Sequence, residues 1–105
     1  MSGQIKIEIP KDKIADFCRR WKISEFALFG SVLREDFGSE SDVDVLITFA
    51  SDAKWGLLSL AQMNRELESI FGRKVDLVSR RGIETSRNYL RRKAILNSAQ
   101  VIHVA

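Results

Sequence analysis

The chain has 105 residues, 45% hydrophobic and 30% charged, with six glycines and one proline. That balance fits one globular domain over residues 1–105 and excludes collagen-like, proline-rich and low-complexity chains. A net charge of +3 hides an uneven spread: the residues from Arg73 onward carry +6, and the first 72 carry −3, so an anionic partner is one expectation and a solvated basic helix face the plainer one.

Pro10 opens the first predicted helix, where its missing amide would be unpaired anyway. Ile14, Phe17, Cys18 and Trp21 follow at i, i+3, i+4 and i+7, one apolar stripe. Cys18, the lone cysteine, reads as an inert core thiol, and its inability to form an internal disulfide fits a cytoplasmic setting. Phe26–Phe29 is a short apolar run ending in Gly30-Ser31, a buried strand entering a short helix. From Asp42 to Phe49 the chain alternates, with Val43, Val45, Ile47 and Phe49 on one face and Asp42, Asp44, Leu46 and Thr48 on the other. Leu57, Leu60, Met63, Asn64, Leu67 and Phe71 recur at helical spacing, and Gly72 stops that helix. Lys74–Val78 is a further strand, with Asp76 opposite Val75 and Leu77. Ser86 caps a helix over 87–98, and residues 101–104 form a terminal strand. The predicted class is α/β (α+β): a small mixed sheet flanked by helices. No apolar run approaches the ~20 residues that span a bilayer, and residues 1–10 lack the apolar core of a secretory signal, so no membrane partner is expected.

The aspartates carry the chemistry. Asp42 and Asp44 share a strand face, with Cα atoms about 6.5–7 Å apart. Two carboxylates that close repel unless a proton or a cation lies between them. A third, Asp76, interrupts an apolar strand, where unpaired charge is costly if buried. Three carboxylates on adjacent strands could hold two hard cations for phosphoryl transfer. The plainer alternatives are a strand end meeting solvent and an arginine partner for Asp76. Gly30-Ser31, at a strand-to-helix junction, could present backbone amides and a hydroxyl to an anion. An EF-hand fails because Leu46 takes a ligand position, and a nucleophilic triad fails because the only histidine, His103, falls in the terminal strand.

The combination of Phe29-Gly30-Ser31, ten residues, Asp42-Val43-Asp44-Val45 and a later Val75-Asp76-Leu77-Val78 resembles the minimal nucleotidyltransferases of the DNA polymerase β-like superfamily. The resemblance covers essentially the whole chain. It implies that fold, with Gly30 and Ser31 on the triphosphate of a nucleotide, ATP. It also implies that Asp42, Asp44 and Asp76 bind Mg²⁺, two ions in all, and that Asp76 helps deprotonate the acceptor hydroxyl. Arg34 would contact phosphate or, equally, pair with Glu35 or Asp36. Small members of the family are commonly antitoxins that add AMP to a tyrosine of a HEPN-domain toxin. The shortness of the chain favours such a partner-supplied protein acceptor. A second reading is a non-catalytic, nucleotide-binding antitoxin that masks its toxin. A third, direct nucleic-acid binding by the basic C-terminal third, is disfavoured: no aromatics interleave the basic residues, and three aspartates stand where phosphates would come.

Overall fold

Residues 9–33 and 41–104 are described by the structure, a computed structural model. Helix α1 (Lys11–Arg20) starts directly after Pro10, with Asp12 in its first turn and Arg19 and Arg20 in its last, each placed to complement the helix dipole. Ile14, Phe17 and Cys18 are its buried side. The chain reverses at Lys22, the only non-glycine residue with positive φ (55°) among the described residues, and enters β1 (Ile23–Phe29). β1 ends at Gly30, where the backbone goes left-handed (φ 72°) into a single 3₁₀ turn, Gly30–Leu33.

Strand β2 (Val43–Phe49) returns antiparallel to β1, placing Phe29 opposite Asp44. Helix α2 (Leu57–Phe71) ends at Gly72, left-handed at φ 70°, and crosses over to β3 (Val75–Ser79). β3 pairs parallel with β2, as a helical crossover permits. Two helices follow, α3 (Arg80–Glu84) and α4 (Tyr89–Ser98), then β4 (Gln100–Val104), which pairs antiparallel with β1. The strand order is β3-β2-β1-β4, a mixed four-stranded sheet.

Strand alternation divides the core between the two faces of the sheet. Phe26, Leu28, Val43, Val45 and Ile47 pack with Phe17 of α1 and with Met63 and Leu67 of α2. Ala27, Phe29 and Leu46 point the other way and meet Ile83 of α3 and Ile95 of α4. Asp44 and Asp76, out of step with the first set, are therefore on the α3–α4 side. Cys18 is 1% exposed within the first cluster, and burial pushes its thiol up to about 11. No helix among the described residues is long and apolar enough to cross a membrane.

The expected mixed sheet between helices is what forms, with four differences. α3 is an additional helix, capped by Ser79, whose Oγ accepts from the Gly82 amide. The cap of α4 is Asn88 rather than Ser86: Asn88 Oδ1 accepts from the Arg91 amide at 3.1 Å, and Ser86 Oγ accepts from the Asn88 amide instead. Leu57 is 84% exposed and leaves the predicted apolar stripe, as does its neighbour Leu58 at 87%, so the first turn of α2 stays outside the core. Asp76 is exposed, so the cost of a buried charge does not apply to it: β3 is an edge strand.

Candidate active site

Parallel pairing puts the Cα atoms of Asp44 and Asp76 directly in register on neighbouring strands, a separation of about 4.8 Å. Local contacts hold that register. The Val43 amide donates to the Lys74 carbonyl at 2.9 Å, and the Val75 amide donates to Oε2 of Glu68 at 3.3 Å. Arg73 Nη1 donates to the Ser41 carbonyl at 3.2 Å, fastening the chain just ahead of Asp42. Asp42 itself lies one residue before β2 and is exposed, whereas Asp44 is half-buried.

Gly30 comes against Asp44 from the neighbouring strand end. A Cβ at Gly30 would fall 2.3 Å from Asp44 Oδ2, so only glycine permits this approach, and φ 72° independently favours it. Ser31 lies in the same 3₁₀ turn. That turn is too short to supply a helix dipole, so what it could offer an anion is the backbone itself. The expectation for Arg34 lies outside the described residues.

These residues border a cleft of about 270 Å³. Phe29, Gly30, Asp44 and Asp76 form its sheet side, and Arg91, Ala94, Ile95 and Ser98 of α4 form its wall. Gly30, Asp44 and Asp76 are thus brought together as expected, and Asp42 is not among the lining residues. Sequence reasoning missed the α4 wall. Its positions recur at i, i+3, i+4 and i+7, a signal that becomes readable only once the face of α4 turned to the sheet is known. A larger hollow of about 500 Å³ opens at the opposite end of β2 and β3, beside Trp55, Lys54 and Arg80. Its lining lacks the carboxylate pair and the glycine approach that make the smaller cleft the candidate site.

Among the described residues no three His, Cys, Asp or Glu side chains gather as a ready-made metal cage. Mg²⁺ does not require one, since it is typically held by one or two carboxylates together with substrate phosphates. The in-register pair Asp44 and Asp76, with Gly30 close against Asp44, fits such an ion.

A family model described as a nucleotidyltransferase domain matches residues 11–102. This chain belongs to the nucleotidyltransferase family. The protein adenylyltransferase MntA of Thermococcus cleftensis is 32% identical over 66 residues, covering 63% of this nucleotidyltransferase and 65% of that protein. Alignments with two relatives from Methanocaldococcus jannaschii likewise cover less than two thirds of those proteins, 64% and 63%. A solved minimal nucleotidyltransferase superposes with a TM-score of 0.65 at 31% identity, covering 86% of each chain. A structure of a tri-AMPylated Shewanella oneidensis HEPN toxin with its MNT antitoxin matches with a TM-score of 0.59 at 20% identity, covering 90% of this chain and 70% of that one. At that identity the likeness concerns the fold. The family and fold expected from the Gly-Ser and Asp-x-Asp strings are therefore those of this chain.

Proposed function

We propose that this nucleotidyltransferase moves AMP from ATP to a tyrosine hydroxyl of a HEPN-type toxin, with Mg²⁺, in the cytoplasm, and acts as its antitoxin. The observation that carries the reading is the register of Asp44 with Asp76 beside the backbone of Gly30. The acceptor class is supported by the relative named a protein adenylyltransferase and by the HEPN toxin that carries AMP in the structurally similar complex.

Gly30, lacking a side chain, lets the Asp44 carboxylate come up against its backbone, and the same residue lines the cleft in which the phosphates would lie. Ser31 follows in the same turn and is the second residue assigned to the triphosphate. Asp42, Asp44 and Asp76 offer carboxylate oxygens to Mg²⁺, which when bound neutralises phosphate charge. Asp76, exposed at the sheet edge, can be reached by a side chain of a second protein. It takes the proton of the acceptor hydroxyl as that oxygen bonds to the α-phosphorus. The P–O bond between α-phosphorus and bridging oxygen breaks, and pyrophosphate leaves. Apart from that proton transfer, the chain acts by orientation and charge placement.

The test is co-expression with the HEPN protein encoded nearest this gene. Intact mass of that partner is expected to rise in AMP-sized steps, and growth to be rescued. Rescue with no mass added would replace transfer with masking as the antitoxin mechanism.

A further inference from the structure

We infer that Arg91 is a cation of this cleft that binds the β- and γ-phosphates of the nucleotide, an assignment that rests on the nucleotide-transfer reading. Connectivity places it. Ser98, seven residues on, is two residues before Gln100, which pairs with Leu28 at the end of β1. Arg91 therefore lies about 10 Å back along α4 at 1.5 Å per residue, on the side from which the chain arrives after β3. Two strand spacings, again about 10 Å, separate β1 from β3. Arg91 and Ser98 thus stand at opposite ends of the α4 wall, and both line the same space as Gly30, Asp44 and Asp76.

The environment of Arg91 suits a ligand rather than a structural role. Its neighbour Arg92 is committed to the fold, with Nη1 donating to the carbonyls of Glu84 and Ser86 and its guanidinium 5.4 Å from the Tyr89 ring centre. Arg91 has its backbone fixed by the Asn88 cap, yet among the described residues its guanidinium forms no ion pair or hydrogen bond. It faces two carboxylates across the cleft without pairing to either. A guanidinium held apart from carboxylates matches phosphate oxygens in a planar, two-pronged geometry. Among the described residues it is also the only basic side chain lining this cleft, which Asp44 and Asp76 line as well. Ala94, one turn further along, keeps that wall low enough to admit the phosphates.

Equilibrium binding of Mg²⁺–ATP and of AMP to the purified chain tests this without any acceptor. Arg91→Ala is expected to weaken ATP binding about tenfold or more, the loss of a charged hydrogen-bond pair. AMP, lacking the β- and γ-phosphates, is expected to bind wild type and variant alike. Arg91→Lys is expected to recover part of the ATP affinity, and Lys93→Ala, which removes the same charge from outside the cleft, to change it less than twofold. All these positions are exposed and helical, so folding is retained. Equal ATP affinity in wild type and Arg91→Ala overturns the assignment, even if transfer to a partner is lost. A wild-type chain that binds no ATP overturns both the assignment and the reading beneath it.

Discussion

Gly30 and Asp44 approach so closely that a methyl group on Gly30 would lie 2.3 Å from a carboxylate oxygen of Asp44. Gly72 is the natural control: its φ of 70° matches the 72° of Gly30, but nothing lies within 4 Å of its missing Cβ. Gly72→Ala is expected to cost about 1–2 kcal/mol, the strain of a left-handed alanine, and to leave nucleotide transfer intact. Gly30→Ala is expected to cost more, because Asp44 must also move, and to abolish transfer. Urea unfolding and partner mass measured on both variants check this. Equal stability losses with equal transfer would mean the approach has no role.

Asp76 is exposed on an edge strand, so removing it leaves no cavity and no orphaned partner. Asp76→Ala is expected to unfold within about 0.5 kcal/mol of wild type. It is expected to bind Mg²⁺–ATP with a modest loss and to modify its partner at least about a hundredfold more slowly, the usual size of a lost proton acceptor. Asp44→Asn is expected to lose both binding and transfer, since Asp44 lies against Gly30, the residue proposed to meet the phosphates. The experiment is a time course of partner mass beside an ATP titration. Normal rates with Asp76→Ala would remove it from the reaction.

Much of this site was legible because strand chemistry has a period of two. Asp44 stands out of step with Val43 and Val45, and Asp76 with Val75 and Leu77, so each had to leave the first core. That they meet in register required the parallel crossover through α2, and alternation within a strand says nothing about its neighbour. The exposure of Asp76 depends on β3 being an edge, a property of strand order. Ser86 and Asn88 are both good cap formers two residues apart, and the choice between them follows from where α4 must start to bring Ile95 onto Leu46. Arg91 was hidden for a related reason: in a segment that also holds Arg87, Arg92 and Lys93, only the packed face of α4 singles it out.

Cys18 offers a direct test of the first core. Its thiol is 1% exposed and pushed up to about 11 by desolvation, so neither access nor thiolate is available at neutral pH. A thiol reagent at pH 8 is expected to leave the native chain unmodified and to label it stoichiometrically in denaturant. Rapid labelling without denaturant would show that α1 leaves the sheet readily.

Glu66 of α2 ties that helix to the end of α1. It accepts hydrogen bonds from the Arg20 guanidinium and, at 3.0 Å, from Trp21 Nε1. The Arg20 bond holds its carboxyl below the usual carboxylate value of 4.5, and Asp16, which also binds Arg20, is lowered too. A lowered folded-state value means that the unfolded chain takes up protons first as pH falls. The stabilisation is therefore complete well above 4.5 and is lost below it, as pH drops through the folded-state value of Glu66. Glu66→Gln keeps the shape and an acceptor for Trp21 but removes the charge. At pH 7 it is expected to cost about 1 kcal/mol, a figure held down by the solvent exposure of Arg20. Near pH 3 the gap between wild type and variant is expected to be narrower, because the unfolded chain has by then taken up the Glu66 proton and the advantage of the charged folded form declines. Urea unfolding of both proteins at the two pH values measures the gap. A gap that persists undiminished at pH 3 would assign the loss to packing of the side chain rather than to its charge.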